Sequence, residues 1–155
     1  QLPDESKLER VGVQAHFLGQ YIAWDSHHNA RVAMANGMTV AHPSEANFWP
    51  WENLDNAQTG LHDYLMFRKY GYGRGCTQIS VDVRCGLYSP DFARGWVSRH
   101  DGLFPVFYAG VSLQEVLDRI GVSVEELHIL LDRFTNWHLF RRVVDQADAA
   151  PILIG

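Results

Sequence analysis

Apolar residues recur every three or four positions between Val111 and Phe134, the spacing that lays one stripe along an α-helix. Two helix starts stand inside that stretch. Ser112 with Glu115 and Ser123 with Glu126 match the capping box, in which a hydroxyl and a carboxylate satisfy free backbone amides reciprocally. Val111 with Val116 and Val122 with Leu127 are placed as hydrophobic staples. Gly121 separates the helices into a tight αα unit. Leu113, Val116, Leu117, Ile120, Leu127, Leu130, Leu131 and Phe134 are expected to bury.

Upstream, Ser89-Pro90 reads as the cap and first-turn proline of a helix that ends at Asp101-Gly102. Its buried stripe is Phe92, Ala93, Trp96, Val97 and His100. Phe104 to Gly110 follows as a proline-containing apolar connector. The N-terminal pattern differs. Residues 1–12 read as a short amphipathic helix ending at Gly12, and Val13 to Trp24 reads as a buried strand followed by a loop. Asp25 or Ser26 then caps a helix through Asn36, with Ala30, Ala33 and Met34 as its packing face and Gly37 as its stop. A lone strand would expose unpaired edges, so it is expected to pair with sheet elsewhere or in another chain. The loop from Thr39 to Trp51 carries heavy aromatic anchors. Residues 145–155 lack helical period and read as a loose tail.

The expected fold class is therefore mainly α with a small β contribution, an α/β fragment. Its expected parts are 1–41, the end of a sheet layer (helix–strand–helix); 42–140, a helical substrate or assembly region; and 141–155, a tail.

The stretch Glu52 to Gly86 holds the candidate chemistry. Asp55 is placed to cap a helix, with Gln58 as its capping-box partner. Leu61, Tyr64, Leu65 and Arg68 form its core-facing stripe, while Gln58, His62 and Lys69 share another face. The run Gly71-Tyr72-Gly73-Arg74-Gly75 then lets the backbone turn sharply and approach something closely. His62, Lys69 and Arg74 around that turn favour an anion, since cations and free amides both attract phosphate. Structural ion pairs and a plain turn are the competing reading. Asp82 and Arg84 lie two positions apart, roughly 200° around a helix, so at most one faces a site while the other braces the scaffold.

At 155 residues and 46% hydrophobic, the chain is long enough for one domain with a core. A formal net charge of −5 argues against a nucleic-acid footprint, and Glu125, Glu126 and Asp132 would repel phosphates if the αα unit entered a groove. Packing is the preferred reading of that unit. Cys76 and Cys85 are too few for a disulfide framework and read as small buried fillers, which fits a reducing, cytoplasmic compartment. His27-His28 lacks a convincing third ligand, so no metal site is expected. No apolar run approaches the length of a membrane helix. Gln1 in place of methionine points to a fragment or a processed chain.

The blocks FLGQYIAWDSHHNARVAMANG, ENLDNAQTGLHDYLMFRKYGYGRG and ISVDVRCG, in that order, resemble the C-terminal half of bacterial N-acetyl sugar amidotransferases of surface-polysaccharide pathways. The likeness runs from about Leu2 to Phe140 and includes the later blocks His100-Asp101-Gly102 and Asp132-Arg133-Phe134. It implies the helix-rich C-terminal portion of a PP-loop (adenine nucleotide alpha hydrolase-like) enzyme. In such enzymes ATP, with Mg, adenylates the acetamido oxygen of a nucleotide-linked sugar, and ammonia from a glutaminase subunit displaces AMP to leave an acetamidino group. The resemblance implies catalytic roles for His62 and Asp63 near the reacting amide and for Lys69 and Arg74 on phosphate. It implies substrate contacts for Asn53, Asp55, Tyr72, Asp82 and Arg84. The superfamily's SGGxDS-type ATP loop does not occur in this sequence. The chain alone is thus expected to bind no ATP, to need a PP-loop half and a glutaminase as partners, and to be inactive by itself. A non-catalytic nucleotide-sugar-binding or assembly module, or a homodimer formed through an exposed sheet edge, are the alternatives.

Overall fold

A computed structural model describes residues 4–141 and 152–153 and divides the chain into two units, 1–38 and 39–155. In the first, α1 spans Glu5–Arg10, with the Asp4 side chain accepting the Ser6 amide. Val13 to Trp24, expected to be a buried strand, is irregular chain with one 3-10 turn at Leu18–Gln20. Phe17 and Trp24 are 82% and 79% exposed. Strand amides and carbonyls need a neighbouring strand, and the described residues of this unit supply none. α2 spans Ser26–Ala35, and Asp25 caps it by accepting the His28 amide. Ala30 is its buried residue, whereas Met34, expected on the packing face, is exposed.

The second unit begins with an irregular run that buries Trp49 and leads into α3, Thr59–Tyr70. This helix starts three residues later than the Asp55 cap would place it. Asn56, not Asp55, takes the local turn: its side-chain oxygen accepts the Gln58 amide at 2.8 Å, and its carbonyl accepts the Thr59 amide. Gly71, at φ 80°, ends α3 in the left-handed conformation. α4 follows as Arg74–Arg84 and packs on α5, Pro90–His100, which Ser89 caps as expected. The close approach depends on Gly75, where a Cβ would lie 2.3 Å from the Trp96 ring and 2.5 Å from the Ala46 carbonyl oxygen. Phe92, expected in the stripe of α5, is exposed; Ala93 is its buried residue.

The apolar connector contains a hairpin, β1 Phe107–Tyr108 and β2 Val111–Ser112, paired antiparallel. Ala109 and Gly110 both have positive φ, as a two-residue hairpin turn of this hand requires, and the Ala109 amide donates to the Pro43 carbonyl. α6 (Leu113–Ile120) and α7 (Val124–Phe134) form the αα unit. The capping box closes at Ser123 but only half-closes at Ser112, because Glu115 turns to Arg119. Leu117, Leu127 and Leu131 pack with Tyr64 of α3 into the core. Ile120, Leu130 and Phe134 are exposed, contrary to expectation.

Arg68 is buried at the C-terminal end of α3, where the helix dipole favours a cation. It donates to Thr135 Oγ1 and to the Tyr64 hydroxyl, tying α3 to the end of α7. β3 (Phe140–Arg141) pairs antiparallel with β4 (Ile152–Leu153), so part of the expected loose tail is strand. The rest of that tail, 142–151 and 154–155, lies outside the described residues. The architecture is mainly helical with a small β contribution.

Candidate functional site

Asp63 and Arg74 are brought together by the glycine turn between α3 and α4. Gly71 reverses the chain, α4 begins at Arg74, and its guanidinium reaches back onto α3. Arg74 Nε donates to Asp63 Oδ2 at 3.1 Å and Nη2 to Oδ1 at 2.9 Å, a bidentate fork. These bonds hold the guanidinium above its ordinary pKa, against the opposing effect of burial. His62 Nδ1 lies 3.0 Å from Asp63 Oδ1. A carboxylate only accepts, so Nδ1 carries the proton of the neutral ring and Nε2 is left as an acceptor. The Asp63 side chain is nearly buried, whereas that of His62 is 70% exposed.

Two amides at the start of α4 are already taken. Gly73 N donates to Asp101 Oδ2 at 2.7 Å and Cys76 N to Asp101 Oδ1 at 3.2 Å, so the chain's own carboxylate occupies the start of α4. Burial pushes the Asp101 carboxyl above its usual range, with the Gly73 and Cys76 amides acting the other way. Cys76 is pushed up as well, by burial and then by Asp101, so its thiol stays protonated.

Behind this pair stands a frame of buried polar groups. Gln78 Oε1 accepts the Phe48 and Trp49 amides, and its Nε2 donates to Glu52. Asp82, fully buried, accepts the Trp49 indole proton at 3.0 Å and so acts as the brace of the Asp82/Arg84 pair, with Arg84 exposed. Tyr108 donates to the Asn53 carbonyl; burial and then the Asp63 carboxylate push its hydroxyl up to about 12, which keeps it a donor. Asn47 and Asn53 each keep a buried side-chain nitrogen without a hydrogen-bond partner. Asn47, Asp63 and Arg74 line a hollow of about 10 Å³, the room one water-sized molecule needs. Asn47 also lines a neighbouring open cleft of about 840 Å³ between the 42–48 loop and the 103–110 connector.

Of the residues singled out from sequence, the structure thus joins His62, Asp63 and Arg74, and sets Asn53 and Asp82 in the frame behind them. Lys69 lines neither hollow. It is exposed, with Nζ 5.3 Å from the Tyr70 ring, and Tyr72 stands exposed beside Tyr70. Asp55 and Arg84 are exposed and line neither space. Cys85, expected to be buried, is exposed. Asn47, Gln78, Asp101 and Tyr108 had no local signal beyond their polarity, because their partners lie far along the chain. The residues present do not fit ATP. The Gly73 and Cys76 amides at the start of α4 hold Asp101, and the arginine between them in sequence holds Asp63. No described helix is long and apolar enough to cross a membrane.

A family model described as "LPS biosynthesis protein WbpG-like, C-terminal domain" matches residues 43–149, more than half of the chain, a span that includes His62, Asp63, Arg74 and Asp101. No curated protein matches the chain.

Proposed function

The chain belongs to the WbpG-like C-terminal domain family of LPS biosynthesis proteins, and from that premise we propose that it is the substrate side of an ATP-dependent amidotransferase acting on the N-acetyl group of a nucleotide-linked sugar. The observation that carries this reading is the relay of His62, Asp63 and Arg74. Asp63 holds the imidazole in one tautomer and leaves Nε2 as a base at the surface. Arg74 fixes the carboxylate on its other side. Such a base takes a proton from ammonia as its nitrogen adds to the amide carbon, and Asp63 stabilises the imidazolium that forms. The bond from that carbon to its activated oxygen breaks, the oxygen departs with AMP, and an acetamidino group stands in place of the acetamido group.

Activation of the acetamido oxygen is assigned to a PP-loop part that binds ATP and Mg, and delivery of ammonia to a glutaminase subunit. Lys69 lies seven residues after His62 on the same face of α3, roughly 10 Å along the axis, and is assigned the phosphates of the nucleotide. Exposed Tyr72 lies nearby for the base. The work is cytoplasmic, where sugar nucleotides are made.

One observation favours a second reading. Arg74, Asp63 and Asp101 satisfy their bonds within the chain, which also suits a module that binds a nucleotide-sugar without turnover. Reconstitution separates the two. The chain is combined with a PP-loop part, a glutaminase, glutamine, ATP and a UDP-linked N-acetyl sugar, and product is followed by mass spectrometry. An acetamidino sugar that forms only with the chain present supports catalysis. Saturable sugar-nucleotide binding with no such product leaves the binding module.

A further inference from the structure

The cleft of about 840 Å³ has walls of two kinds. Phe104 and Phe107 line it and are 39% and 61% exposed, so aromatic surface faces the open space. The polar lining consists largely of acceptors. His42 Nδ1 lies 3.2 Å from the Ser44 carbonyl and His100 Nδ1 lies 2.9 Å from the Trp96 carbonyl. Carbonyls only accept, so each neutral ring carries its proton on Nδ1 and keeps Nε2 as an acceptor. Glu45 adds a carboxylate on the same loop as His42. No lysine or arginine is among the lining residues. Among the described residues no three His, Cys, Asp or Glu side chains are grouped to hold a metal ion.

Acceptors without cations disfavour phosphate, which carries acceptors of its own and a charge that Glu45 repels. Aromatic surface without a donor array suits a ligand with an apolar face and outward hydroxyl donors. A pyranose ring has both: axial C–H groups on its faces and hydroxyls at its rim. The volume lies within the range of about 300–1,000 Å³ usual for small-molecule sites.

We infer that this cleft is a saccharide subsite, taking a neutral pyranose with its face on Phe104 and Phe107 and its hydroxyls on His42, His100 and Glu45. The phosphates of a sugar nucleotide lie outside it. That the bound saccharide is the sugar to be amidinated rests on the amidotransferase reading; that the cleft binds a saccharide does not.

The test uses the 155-residue chain and three probes: the methyl glycoside of N-acetylglucosamine, UDP-N-acetylglucosamine, and UDP alone. Saturation-transfer NMR reads contact of the ring protons with aromatic side chains, and titration gives the dissociation constant. Glu45→Ala and Phe107→Ala change exposed side chains and are expected to fold as the parent. The expected result is saturable binding of both sugar probes, weakened at least about tenfold by either substitution, with UDP alone failing to displace the methyl glycoside. Displacement by UDP alone, equal binding by both variants, or no saturable binding of either sugar would each overturn the inference. Saccharide binding without amide transfer in the reconstituted system would sink the amidotransferase reading and leave this one standing. Transfer without saccharide binding in this cleft would do the reverse.

Discussion

Asp101 Oδ2 accepts the Gly73 amide at 2.7 Å, across a sequence separation of 28 residues. With Cys76 donating to Oδ1, one carboxylate both closes the glycine turn and caps α4, whose first residue is Arg74. The anion at this helix start belongs to the chain itself, and the placement of Arg74 against Asp63 depends on it.

This arrangement has a pH signature. Burial raises the Asp101 pKa above its unfolded value, so its contribution to stability is fully present below the ordinary carboxylate range near about pH 4 and is lost as pH rises through the folded value. Thermal melts of the parent and Asp101→Asn from about pH 3 to about pH 7 should show the parent's advantage shrinking as pH rises. An advantage that grows with pH would mean that the hydrogen bonds from Gly73 and Cys76 outweigh burial.

Gly75 stands where α4 meets Trp96 and the Ala46 carbonyl. A methyl group there meets backbone on one side and a ring on the other, so Gly75→Ala is expected to destabilise the fold by about 1–3 kcal/mol, despite the better helix propensity of alanine. Urea denaturation measures it. A neutral or stabilising result would show that α4 and α5 can separate without loss.

Gln78→Ala strips two amides, the half-buried Phe48 N and the buried Trp49 N, of their common acceptor. Leaving both unsatisfied should cost roughly 2–4 kcal/mol. The expected secondary effect is a loosened 42–48 loop, seen as faster amide exchange at Phe48 and Trp49. Unchanged exchange there would contradict the frame.

What could be read from the sequence was whatever depends on neighbours. Ser89, Ser123 and Gly121 carry local signals, and the helices they bound lie where those signals put them. The stripe Leu61, Tyr64, Leu65 and Arg68 also faces the core, because periodicity encodes a face. Val13 to Trp24 was illegible for the opposite reason. Its alternating apolar residues fit a strand, but a strand exists only with a partner. The site was half legible. The glycine turn pointed to Arg74, yet its real partner, Asp63, and the filling of the turn by Asp101 are long-range facts with no periodic trace. Tyr108 and Asn47 were invisible for the same reason.

The role given to Asp63 is tested most directly by Asp63→Asn in the reconstituted enzyme, with kcat and KM for acetamidino product measured separately. Asparagine nearly preserves the shape but can neither stabilise a His62 imidazolium nor hold Arg74 through both oxygens. The expected result is a fall in kcat of about a hundredfold or more with KM little changed, and a similar fall for His62→Ala. Parent-level kcat in both variants would contradict the catalytic assignment.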